Sequence, residues 1–71
     1  MIDKKELKKA LILHDVTVQM IAEAAQVSES TVYRWLKNPE KLNIGTVEML
    51  KEVAKFDRDE FTRIFYPETV A

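Results

Sequence analysis

The sequence predicts an all-α fold, a five-helix orthogonal bundle in one domain spanning residues 1–71, and three observations carry that expectation. The chain has one glycine and two prolines, too few turn formers for a set of β-hairpins. Apolar residues recur three and four apart along most of its length, the spacing of a helix face. A residue able to cap a helix, Asp3, Thr17, Ser28, Asn43 or Asp57, precedes each such run. Cysteine is absent, so helix packing has to supply the stability without disulfides or a thiolate metal cluster.

The first helix is expected over residues 4–13. Asp3 with Glu6 has the spacing of a reciprocal capping box. Leu7, Ala10, Leu11 and His14 form the inner stripe, which Ile12 and Leu13 widen. Lys4, Lys5, Lys8 and Lys9 take the outer face, either as a solvated surface or as a phosphate-facing edge. His14 has only Asp15 close by in sequence, which suits a helix-end residue favoured by the dipole better than a metal ligand.

Thr17 caps a second helix over 18–25, whose Ile21, Ala22 and Ala25 make a narrow, small-residue face. Gln26 and Val27 form a tight turn, and Ser28 caps a third helix over 29–36 with Val32, Trp35 and Leu36 inward. Pro39 stops it, since the residue before a proline is pushed out of helical space. After a loop at 40–42, Asn43 caps a fourth helix over 44–55 with Ile44, Val47, Leu50, Val53 and Ala54 on one stripe. Asp57 and Glu60 form a second capping box for a fifth helix over 58–65, with Phe61, Ile64 and Phe65 inward. Pro67 ends it, and 68–71 are expected to fray. Tyr66 is expected to complete the core with Phe61 and Phe65. An aromatic edge left over there would suit a homodimer contact.

Composition narrows the function classes. No apolar run approaches ~18 residues, and the first residues lead into amphipathic sequence, so no membrane segment is expected and the cytoplasm is the expected location. No side chains line up as nucleophile, base and orienter, and there is no glycine-rich phosphate loop, so neither catalysis, cofactor nor metal is expected. Eleven Lys and Arg against twelve Asp and Glu leave a net charge of −1, which weighs against a dedicated DNA binder.

The second and third helices are each about two turns long and are joined by a connector of two or three residues, the geometry of a DNA-reading helix-turn-helix. The run VTVQMIAEAAQVSESTVYRW, 16–35, resembles the helix-turn-helix core of phage repressor and Cro-type regulators. The run IGTVEMLKEVAKFDRDEF, 44–61, is similar to the fourth and fifth helices of the same family, so the resemblance covers nearly the whole chain. It implies that Ser28, Glu29, Ser30 and Arg34 meet phosphates and base edges, with Arg34 able to fork onto guanine. Tyr33 and Lys37 share that outward face, and Lys37, Asn38, Lys41 and Asn43 would lie near backbone phosphates.

Three departures weaken that surface for DNA: Val18 stands where the family usually has a bracing glutamine, Gln26 where the turn commonly has glycine, and Glu29 where a glutamine or a cation is frequent. The chain also resembles the small temperate-phage antirepressors, helix-turn-helix proteins that modulate a main repressor by binding it. Val18, Met20, Glu23, Glu29 and Tyr33 would then form a patch for a cognate repressor. Two readings stand, an antirepressor acting on a protein partner and an autonomous Cro-like operator binder. The net charge, Glu29 and Val18 incline toward the first, whereas Ser30, Arg34, Lys37 and Asn38 favour the second.

Overall fold

A computed structural model describes residues 2–69 as five helices with no strand among them. They are α1 (Lys4–Leu13), α2 (Val18–Ala25), α3 (Glu29–Lys37), α4 (Ile44–Ala54) and α5 (Arg58–Phe65). The all-α class read from the sequence is the one observed. Helix α3 runs one residue further than expected, to Lys37. Helix α4 stops one residue early, because Lys55 turns left-handed at φ 56°. The segment expected as a loop holds a 3-10 turn over Pro39–Lys41, and a second such turn, Pro67–Thr69, replaces part of the expected frayed end. That second turn is closed by the Thr69 N–H and hydroxyl, both donating to the Tyr66 carbonyl. The expected fraying of Val70 and Ala71 lies outside the described residues.

Helix α2 sits at the centre, packed on α3 and α4, while α5 packs on α1. The core gathers Leu7 and Leu11, Ile21, Val32, Leu50 and Ile64, with Phe56 inserted from the α4–α5 connection. Each fully buried aliphatic side chain contributes on the order of 1.5–3 kcal/mol. Four expected core residues are instead exposed: Ile12 at 69%, Leu13 at 71%, Ile44 at 78% and Tyr66 at 53%. At about 100° per residue, Ile12 lies roughly 140° from Leu7 and shares the lysine face. Ile44, at the first position of α4, lies roughly 120° round from Leu50. The half-buried Trp35 packs against the core with one edge on a shallow cleft.

The two capping boxes differ. At α5 both halves form: Glu60 N–H donates to Asp57 Oδ1 at 2.8 Å and Asp57 N–H donates to Glu60 Oε1 at 3.1 Å. At α1 only one half forms. Asp3 accepts from Lys5 and Glu6, but its own N–H donates to the Ile64 carbonyl at 2.7 Å, tying α1 to α5. Glu6 therefore turns to Lys9 at 3.9 Å.

His14 ends α1, as expected of a helix-end residue, and its Nε2 meets Glu60 Oε2 at 2.7 Å. The Asp57 N–H and then the His14 ring hold the Glu60 carboxyl below the ordinary carboxylate range. A carboxyl depressed by folding stabilises the fold above that range, and the benefit is lost as pH falls through the depressed value. Thermal melts across acidic pH should therefore show a fall in Tm. Glu60→Gln should flatten that fall while lowering the plateau at neutral pH; an unchanged profile would rule Glu60 out as its source.

Candidate nucleic-acid interface

The motif is assembled by local caps. Thr17 accepts from Met20 N–H at 3.1 Å to start α2. At its end Gln26 takes φ 57°, and Val27 N–H donates back to the Ala22 carbonyl at 3.0 Å, so the chain reverses within two residues. Val27, half-buried, packs against the core from this turn, and Ser28 accepts from Thr31 N–H to start α3. A non-glycine residue in left-handed space costs roughly 1–2 kcal/mol, whereas glycine's extra freedom in the unfolded chain costs about 0.4–1 kcal/mol. Gln26→Gly should therefore stabilise the domain by about 0.5–1 kcal/mol. A lowered denaturation midpoint would contradict this.

Buried Val32 and half-buried Trp35 and Leu36 anchor α3. That anchoring leaves Ser28, Glu29, Ser30, Tyr33, Arg34, Lys37 and Asn38 exposed. The Arg34 guanidinium donates to Thr31 Oγ1 at 3.2 Å, and Thr31 Oγ1 lies 3.1 Å from Ser28 Oγ. A hydroxyl chain thus runs from the cap to the arginine and sets its direction along the outer face. Sequence reasoning did not single out Thr31 for this role, although the 28–31–34 spacing on one helix contains the signal. Among the described residues no ion pair joins Arg34 to Glu29 or Glu23; Glu23 instead accepts from Gln19 at 3.4 Å.

Lys37, Asn38 and Lys41 surround a cleft together with Lys4, which α1 delivers from far back in the sequence. A neighbouring cleft is lined by Arg34, Trp35, Asn38 and Lys41. Of the four α1 lysines, Lys4 therefore joins the basic edge, whereas Lys9 pairs within its own helix. Glu40 also lines the first of these clefts, so the two set four cationic side chains, Lys4, Arg34, Lys37 and Lys41, against one carboxylate, and the net charge of −1 understates how cationic this edge is. Asn43 spends its Oδ1 on capping α4, accepting from Thr46 N–H at 2.8 Å.

The residues expected to form a partner patch divide between two surfaces. Val18 and Tyr33 line one groove between α1, α2 and α3. Met20, 43% exposed, and Glu23 lie on the other side of α2, roughly 160° and 140° round from Val18.

No helix among the described residues is long and apolar enough to cross a membrane. The sequence pattern of the Cro/C1-type helix-turn-helix DNA-binding domain matches residues 6–55, which hold the motif and all of α4. No curated protein and no solved structure matches the chain.

Proposed function

The chain belongs to the family of Cro/C1-type helix-turn-helix DNA-binding domains, and on that premise we propose that it is an antirepressor, binding a cognate repressor in a temperate-phage-type switch. Membership makes it a helix-turn-helix transcriptional regulator. The observation that carries the antirepressor reading is the apolar groove beside α3, where Val18 and Tyr33 stand against α1. A surface that only read DNA would gain nothing from exposing that groove next to its recognition helix. Glu29, exposed at the start of α3, adds repulsion toward phosphates.

The second reading, an autonomous Cro-like repressor with α3 in the major groove of its operator, is favoured by a separate observation. The Ser28–Thr31–Arg34 chain presents a directed guanidinium, and Lys4, Lys37 and Lys41 flank it as phosphate contacts.

A mobility shift on the operator region, run with and without the cognate repressor, separates the two. The antirepressor reading predicts little shift by the chain alone near physiological salt and a changed repressor shift when both are present. A strong, sequence-specific shift by the chain alone would overturn it in favour of the second reading.

A homodimer fits the cleft between α4 and α5. Exposed Ile44 and Tyr66 border a cleft of about 380 Å³ that also holds Val47, Phe61, Glu48 and Lys51. Sedimentation should then show a dimer that Tyr66→Lys dissociates; a monomer at all concentrations would remove this contact.

A further inference from the structure

We infer that the groove between α1 and the helix-turn-helix is a docking site for an acidic amphipathic helix of a protein partner, an inference that rests on the antirepressor reading and specifies the partner's chemistry. The groove encloses about 320 Å³. Its floor is carbon: Leu7 and Leu11 of α1, Val18 of α2 and Leu36 of α3. Tyr33, 61% exposed, forms one wall. Lys4 and Lys8 stand on the rim, and no acidic side chain lines the groove.

Three features select the occupant. The apolar floor calls for aliphatic or aromatic anchors, which a DNA backbone does not offer. The bundle has no strand among its described residues, so a partner finds no sheet edge to pair with and has to satisfy its own backbone hydrogen bonds, as a helix does. Lys4 and Lys8 are one turn apart on α1, roughly 6 Å along its axis, which matches carboxylates at i and i+3 or i+4 on a partner helix. Its apolar face would fill the groove while its acidic edge pairs with the lysines, a charge match that sets orientation.

The test uses the full chain and a designed helical peptide, with leucines at i, i+3 and i+7 and glutamates along one edge. Amide chemical shifts locate the binding and fluorescence anisotropy measures it. The expected result is shifts at Leu7, Leu11, Val18, Tyr33 and Leu36. Affinity should fall about tenfold or more in Lys4→Glu/Lys8→Glu and in Tyr33→Ala. A control, Lys5→Glu/Lys9→Glu, should stay within about threefold of wild type. All the charge reversals are at exposed positions, and circular dichroism checks that each variant folds.

Shifts elsewhere, equal affinity after reversing both rim lysines, or equal binding by a peptide with serines for leucines would overturn the inference. So would loss of self-association, instead of peptide binding, in the groove variants. A parallel arm uses the cognate repressor. A repressor that binds unhindered by saturating peptide and by the groove variants overturns the docking site and leaves the antirepressor reading intact. A peptide seated in the groove with no repressor binding at all leaves the site intact and removes that reading.

Discussion

Ile21→Ala is expected to remove about half or more of the domain's stability. Ile21 is fully buried on the face of α2 that meets its neighbouring helices, so the truncated site has little freedom to collapse. Removing a buried isoleucine down to alanine costs about 2–5 kcal/mol, the cavity included. A chain of this size, without disulfides, sits near the low end of the usual range of about 5–15 kcal/mol. Ile12→Ala and Ile44→Ala remove side chains of the same type from exposed positions and should move stability by no more than about 0.5 kcal/mol. Thermal melts of the three variants check the contrast. Equal losses at positions 12 and 21 would mean that α1 turns a different face to the core.

On the second reading, an autonomous operator binder, Arg34→Ala has the largest effect expected on DNA contact. Its guanidinium is exposed, bonded to Thr31 Oγ1, and lines a cleft with Asn38 and Lys41. Loss of a bidentate guanine contact costs about 1–3 kcal/mol, roughly 5- to 150-fold in affinity, and relaxes specificity at one base pair. Thr31→Val keeps the side-chain shape and the charge of Arg34 but removes the orienting acceptor, so it should reproduce part of the loss with an unchanged salt slope. Lys37→Ala should act differently, weakening all sequences alike and reducing the salt slope by about one phosphate contact. Operator titrations at several salt concentrations distinguish these patterns. Identical effects from Arg34→Ala and Lys37→Ala would make Arg34 a phosphate contact and not a base reader.

What the sequence made legible was local. Caps and 3.6-residue periodicity are written within a few residues, and they placed five helices, the Ser28 cap and the complete Asp57–Glu60 box. What it hid depends on partners distant in the chain. Asp3 looked able to close a box with Glu6, but the Ile64 carbonyl takes its N–H. His14 meets Glu60 from 46 residues away, a pairing that no spacing announces. Phe56 lies between two helical stripes and was passed over, yet it is buried.

Ile12, Leu13, Ile44 and Tyr66 read as inward because they are apolar, whereas coverage depends on which helix faces lack a neighbour. In the site, every outward residue of α3 was legible from the positions of Val32 and Trp35. The delivery of Lys4 to Lys37 and Lys41, and the separation of Met20 and Glu23 from the groove that Val18 and Tyr33 share, required the tertiary structure. Net charge is equally blind to placement, because a sum over the chain says nothing about which side of the molecule the charges occupy.

Titrating the purified chain into its cognate repressor decides whether this surface acts on a protein. A saturable complex is expected at near-physiological salt. Lys4→Glu/Lys8→Glu should weaken that complex by charge reversal at the groove rim, whereas Glu29→Lys should raise the chain's own affinity for nonspecific DNA. No detectable complex, together with tight sequence-specific operator binding by the chain alone, would contradict that expectation.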